Sequence, residues 1–251
     1  MGLSCYLIWI DQKYLTLAPL GLLGIYFAIY HLEYTFISLA FLTPLSINIE
    51  EYTEGFGLYI PTEPMLFGIL LLVLMQHGLK NKSSSYVWKH PITIALGFYL
   101  FWCFITSITS TAPITSFKFL LSKLWFIVPL ILLGTKVFSN LKNVKRFIWL
   151  FCLSMCIVII YTVTVHAGYG FGEKEGHWVM WPFFKDHTIY GSTIAFIIPL
   201  VFGLYFSKKH TPLTQIFILS LISISLIGLY FSSTRAAWLS VIVAIVILII
   251  I

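Results

Sequence analysis

"IFILSLISISLIGLYFSSTRAAWLSVIVAIVILIII" (residues 216–251) decides the class of fold. Two apolar runs flank Ser232, Ser233, Thr234 and Arg235, and Arg235 is the only charge in the stretch. A helix on the surface of a soluble domain keeps a polar face for water, and neither run offers more than scattered serines. Each run suits hydrocarbon instead, where about 20 apolar residues in a helix cross a core of roughly 30 Å. The stretch therefore reads as span, short polar turn, span.

The rest of the chain extends this reading. It is 59% hydrophobic and 10% charged, with a mean hydropathy of +0.96, outside the range of soluble domains. Apolar spans are expected at 14–31, 33–48, 65–79, 92–110, 119–138, 147–167, 188–206 and 213–231, with a ninth beginning near 236. The runs are continuous rather than short and alternating, which excludes a β-barrel and predicts an all-α polytopic membrane protein. No basic leader or small-residue cleavage site marks the first apolar stretch, so a cleavable signal peptide is not expected. Cys152 and Cys156 share a helix face with no further Cys or His beside them, and read as small buried apolar groups.

The polar connections sort by sign. Segments 80–90, 136–146 and 207–210 hold nine of the fifteen Lys/Arg and no acid, whereas 48–64 and 168–187 hold seven of the nine acids. The positive-inside rule makes the first set cytoplasmic and the second set, with 111–118, external. The net charge of +6 thus reports topology and not nucleic-acid binding. Two spans before an outward 48–64 would place residues 1–13 outside. The same alternation puts Arg235 on the outer side, near the aromatics Tyr169, Phe171, Trp178, Trp181, Phe183 and Phe184.

Three groups of residues carry candidate chemistry. Arg235 offers a planar, permanently charged fork suited to phosphate, with Ser232, Ser233 and Thr234 adding hydroxyls at the start of a helix. The competing reading is an interfacial snorkel. In "FFKDHTIYG" (183–191), Lys185, Asp186 and His187 open a span, with Tyr190 a turn further on; Asp186 either orients His187 or caps the helix. Glu50, Glu51, Glu54 and Glu63 form an acidic loop, a source of a catalytic base or a metal site, or simply a solvated segment. Lys118 and Lys123 flank the entry to the fifth span, where Lys123 snorkels or supplies a second phosphate contact. His166 and His177 stand apart from any motif. No Walker loop, HExxH, CxxC or dinucleotide fingerprint is present, so energy coupling by a bound nucleotide is not expected.

"STRAAWLSVIVAIVIL" is similar to the arginine motif of the bacterial O-antigen ligase and O-antigen polymerase superfamily. "FFKDHTIYGSTIAFIIPLVFGLYF" resembles a segment that precedes that motif by some forty to fifty residues, and "PLSINIEEYTEGFGLYIPTEPMLFGILLL" resembles an early outer loop and its following helix. The resemblance covers most of the chain, with the arginine motif its most specific part. It implies a GT-C-like bundle of eight or nine spans in the bacterial inner membrane. It also implies transfer of a glycan from undecaprenyl pyrophosphate to lipid A core or to a second lipid-linked repeat, on the periplasmic face and without a cofactor. Arg235 would bind the pyrophosphate and stabilise its departure, with Ser233, Lys185, Asp186 and Lys123 as further contacts and His187 as a substitute base. The family's own histidine base lies in a loop well beyond the arginine. The apolar run stops at Ile251, so the sequence reads as the N-terminal portion of such an enzyme, inactive by itself. A flippase for the same lipids, or a fragment that binds the carrier without reacting, are the alternatives. A flippase would need charges deep in several spans, and here they gather at the rim.

Overall fold

The computed structural model describes residues 18–49, 57–79, 85–206 and 210–250. Contacts divide the chain into two compact units, Met1–Ile37 with Leu66–Ser139, and Ser38–Met65 with Asn140–Ile251.

The first unit holds α1 (Ala18–Tyr30), the start of α2 (Leu32–Leu42), most of α3 (Thr62–Leu79), α4 (Ser85–Lys89), α5 (Pro91–Ile108) and α6 (Pro113–Pro129). A π-helical turn (Leu130–Gly134) and the short α7 (Thr135–Val137) continue α6. Pro91 and Pro113 stand at first helical positions, where a missing N–H breaks no helical bond. The segment expected as an outer loop at 111–118 is mostly helix for that reason: only 109–112 connects α5 to α6. Ser110 Oγ closes this turn, accepting from the Ala112 N–H at 3.1 Å and from Ser116 Oγ at 2.7 Å. Pro129 has no N–H to give its helix, and the wider π turn begins directly after it. Lys136 meets Glu33 at 2.7 Å, so the α1–α2 joint lies at the basic end of this unit. Both side chains are largely exposed, and the pair contributes at most about 1 kcal/mol.

The second unit holds the end of α2, a ribbon of β1 (Ile47–Asn48) and β2 (Tyr59–Ile60), and four helices: α8 (Leu141–Gly168), α9 (His187–Phe206), α10 (Pro212–Phe231) and α11 (Arg235–Ile250). The ribbon is antiparallel, with Ile47 opposite Ile60 and Asn48 opposite Tyr59. The span expected at 33–48 stops at Leu42. Pro44 cannot donate to the helix, and the Thr43 and Ser46 hydroxyls take the carbonyls of Leu39 and Leu42 at 2.7 and 2.9 Å.

α9 is the centre of this unit, packed against α10 and α11, while α10 also packs on α8. Its inward face carries Tyr190, Ile194, Ile197, Ile198 and Val201, all essentially inaccessible. Cys152, Met155, Val158 and Ile159 meet them from α8, and Ile218, Leu221 and Leu229 from α10. Cys152 and Cys156 are buried free thiols. Val179 and Met180, from the segment between α8 and α9, close the core at one end. Where lipid replaces water, such helices associate through close packing rather than through release of water. Gly228 shows how close: a Cβ there would stand 2.6 Å from Ile159 Cγ2.

Among the described residues, five helices are long and apolar enough to cross a membrane: Pro91–Ile108, Pro113–Val137, Leu141–Gly168, His187–Phe206 and Pro212–Phe231. Leu32–Leu42, Thr62–Gln76 and Arg235–Ile250 are apolar but shorter. On α5 only Ser107 is buried, while Phe98, Phe101, Trp102 and Ile105 stand exposed. A face so apolar would be a liability in water and fits hydrocarbon. The chain is an all-α polytopic membrane protein, its one β element the two-stranded ribbon among the described residues.

Candidate functional site

One end of the second unit gathers the C-termini of α8 and α10 and the N-termini of α9 and α11. α8 finishes in a Schellman turn. The Phe171 N–H donates to the His166 carbonyl, the Gly170 N–H donates to the Ala167 carbonyl, and Gly170 takes the left-handed φ of 68° that the turn requires. The Phe171 ring then stacks on Phe231 at 4.5 Å, tying the ends of α8 and α10 together.

α9 begins with an aspartate cap. Asp186 Oδ1 accepts from the Thr188 N–H at 2.5 Å and from the Thr188 hydroxyl at 2.7 Å, and the Asp186 carbonyl receives the Tyr190 N–H. The two bonds from Thr188 hold the carboxyl below its usual range, with smaller help from His187 and His177. His187 Nδ1 lies 3.3 Å from Asp186 Oδ1 and 3.2 Å from His177 Nδ1. The two imidazoles cross edge to face, with His177 exposed and His187 half-buried.

The turn into α11 is built against this helix start. The Ser232 hydroxyl donates to the Leu229 carbonyl at 2.8 Å. Ser233 adopts φ 52°, a left-handed conformation uncommon outside glycine, which turns the chain from α10 to α11. Thr234 shares its hydroxyl between the carbonyls of Ser232 at 2.9 Å and His187 at 3.1 Å, so it staples α11 to α9. Among the described residues, no backbone N–H of α11 donates to that hydroxyl in return. Among the described residues, the N–H groups of Arg235 and Ala236 have no hydrogen-bond partner. Gly191 makes the approach possible: a Cβ there would lie 2.8 Å from Thr234 Oγ1 and 2.9 Å from Ser232 Oγ. Gly176 fills the same role on the loop side, with His166 Cε1 and Ser233 Oγ each 3.3 Å from the position of its missing Cβ.

Arg235 is exposed on the first turn of α11 and has no acidic partner among the described residues. Two helix N-termini, each carrying the positive end of a helix dipole, open onto the end of the unit where it sits. Lys185 is exposed one residue before the α9 cap. The structure thus brings Arg235, Ser233, Asp186 and His187 to one end of one unit, with Lys185 beside them in sequence. Lys123 belongs to the other unit, inside α6 rather than at its entry, and its ammonium lies 4.8 Å above the Phe119 ring. Lys118 also lies within α6, and Glu63 in the first turn of α3. Glu50, Glu51 and Glu54 fall outside the described residues. No group of three or more His, Cys, Asp or Glu is placed to hold a metal among the described residues.

Sequence reasoning set His166 and His177 apart from any motif, and the structure gives both of them neighbours. The pairing of His177 with His187 spans an irregular loop, where no periodicity signals proximity. His166 could have been found from its place at the end of a span, just before the Gly-rich 168–172. Its Nε2 is 2.9 Å from the Gly172 carbonyl, and its ring packs edge-on against Phe171 and Phe231.

These features define a polytopic helical membrane protein with an exposed, cation-bearing turn at one end of a four-helix unit. Comparison with protein-family models, curated proteins and solved structures finds no match for this chain. The resemblance to the O-antigen ligase and polymerase superfamily rests on the quoted residues alone.

Proposed function

We propose that this protein acts on a lipid-linked glycan at the membrane surface, with Arg235 gripping the diphosphate of a polyprenyl carrier. In this reading it is a glycosyltransferase of the O-antigen ligase or polymerase type, or the portion of one that binds the carrier. The acceptor is lipid A core or a second lipid-linked repeat. A GT-C-like bundle of eight or nine spans, in the bacterial inner membrane with Arg235 on the periplasmic face, belongs to the same proposal.

The observation that carries it is the exposed Arg235 without an acidic partner, beside two N–H groups left open at the start of α11. Guanidinium and backbone N–H together form a donor set for phosphate oxygens. In the transfer, the acceptor oxygen bonds to the anomeric carbon as its hydroxyl proton passes to a base, for which His187 is the candidate in this reading, and the carbon–oxygen bond to the diphosphate breaks. Arg235 meets the negative charge that develops on the leaving oxygen. Donors so placed are typically worth about 10²–10³ in rate.

The test is binding of a polyprenyl-diphosphate glycan to the full protein in nanodiscs, followed by transfer to each acceptor. Arg235→Ala should abolish both while membrane insertion survives. Arg235→Lys should recover part of the binding, because a point charge replaces a fork. Normal binding and transfer by Arg235→Ala would end the proposal.

A further inference from the structure

The interior below this end holds three polar atoms that the bundle leaves unsatisfied. Thr162 Oγ1, His166 Nδ1 and Tyr190 Oη are buried, and none has a hydrogen-bond partner among the described residues. Their residues are 3%, 3% and 1% exposed, so bulk water reaches none of them. Thr162 and His166 are one turn apart on the same face of α8. The Thr162 and Tyr190 hydroxyls come close together across α8 and α9, without the geometry of a direct bond.

His166 sets the polarity of the group. Its Nε2 lies 2.9 Å from the Gly172 carbonyl, which can only accept, so Nε2 carries the hydrogen. In the neutral ring Nδ1 is then a lone pair that needs a donor. Phe171 and Phe231 pack edge-on against that ring and have no such donor to give. A direct bond between Thr162 and Tyr190 would satisfy those two hydroxyls and still leave Nδ1 bare. Buried groups of this kind are nearly always partnered, and an internal water typically makes about three hydrogen bonds.

We infer that Thr162, His166 and Tyr190 line an internal hydration site, in which bound water donates to His166 Nδ1 and joins it to the two hydroxyls. The inference stands apart from the role of Arg235. It gives the interior of the unit a water-linked hydrogen-bond acceptor, held to the loop through Gly172.

The site can be read by water-edited solid-state NMR on the full protein, ¹⁵N-labelled, in nanodiscs. His166→Gln assigns the ring signals. Transfer from water to His166 Nδ1 is expected, and is lost in Thr162→Val/Tyr190→Phe. The same pair of substitutions should lower thermal stability, because the hydrated site loses hydrogen bonds. If the three groups are instead dry, removing two unsatisfied hydroxyls leaves stability unchanged or raised, with no water transfer in the parent, and the inference fails. Water transfer that persists unchanged in the double variant also overturns it. Should the double variant not fold, Tyr190→Phe alone is read by the same transfer, with reduction expected and no change refuting.

Discussion

Gly191→Ala tests the architecture of the candidate site without touching a charge. The added methyl would meet Thr234 Oγ1 at 2.8 Å, and Ser232 Oγ and Thr234 Cβ at 2.9 Å. Neither neighbour can swing aside freely, because both are buried and hold backbone carbonyls through their hydroxyls. Overpacking of this kind costs about 1–3 kcal/mol. Loss of the Thr234–His187 bond adds about 0.5–1.5 kcal/mol. Against these stands the helix preference of alanine over glycine, about 1 kcal/mol. The net expectation is a destabilisation of roughly 0.5–3.5 kcal/mol, read as a lowered unfolding midpoint at about 2–4 °C per kcal/mol. Gly203→Ala is the internal control, on the same helix with nothing within 4 Å of its Cβ position, and should be neutral or stabilising. Both variants would be compared by thermal unfolding in one detergent, alongside binding of the polyprenyl-diphosphate glycan. Gly191→Ala should lose binding as the arginine turn is pushed off α9. Equal stability of the two variants, with binding intact, would refute the close-packed turn.

Gly228→Ala should likewise destabilise the α8–α10 contact by about 1–3 kcal/mol, since its Cβ would lie 2.6 Å from Ile159 Cγ2. Adding Ile159→Ala should recover part of that loss in a double-mutant cycle, and strict additivity would count against the contact. The cap of α9 should titrate. Asp186 is held below its ordinary pKa by Thr188, so its stabilisation is complete above the unfolded value and disappears as pH falls through the folded one. Stability should therefore decline in acid below the usual carboxylate range. Asp186→Asn keeps the cap, cannot titrate, and should flatten that decline; an unchanged acid profile would show that the cap does not contribute.

Much of this fold is legible in the residues, and the exceptions have physical causes. The spans ending at 167, 206 and 231 lie within a residue of the helix ends, because unbroken apolar runs bounded by polar residues admit few alternatives. The segment 111–118 misleads because its Thr, Ala, Pro and Ser read as loop, whereas Pro113 starts a helix. The end of α2 misleads in the opposite sense. Leu45 and Ile47 continue the apolar run, but hydroxyls and Pro44 have already closed the helix. At the site, Asp186, His187, Ser233 and Arg235 were legible as a linear pattern. What could not be read was the register that joins them. It depends on two glycines without distinguishing neighbours in sequence, and on Val179 and Met180, which enter the core from an irregular segment.

The staple between Thr234 and His187 also orders the assembly of the unit. The two residues are 47 positions apart, and a chain made from its N-terminus presents the carbonyl well before the hydroxyl exists. α9 is therefore synthesised before the α10–α11 hairpin that reaches back to it, and the bond between them closes only once that hairpin has been made. Arg235, next in sequence to that hydroxyl, joins an end of the unit to which α8 and the start of α9 have already contributed their share of chain.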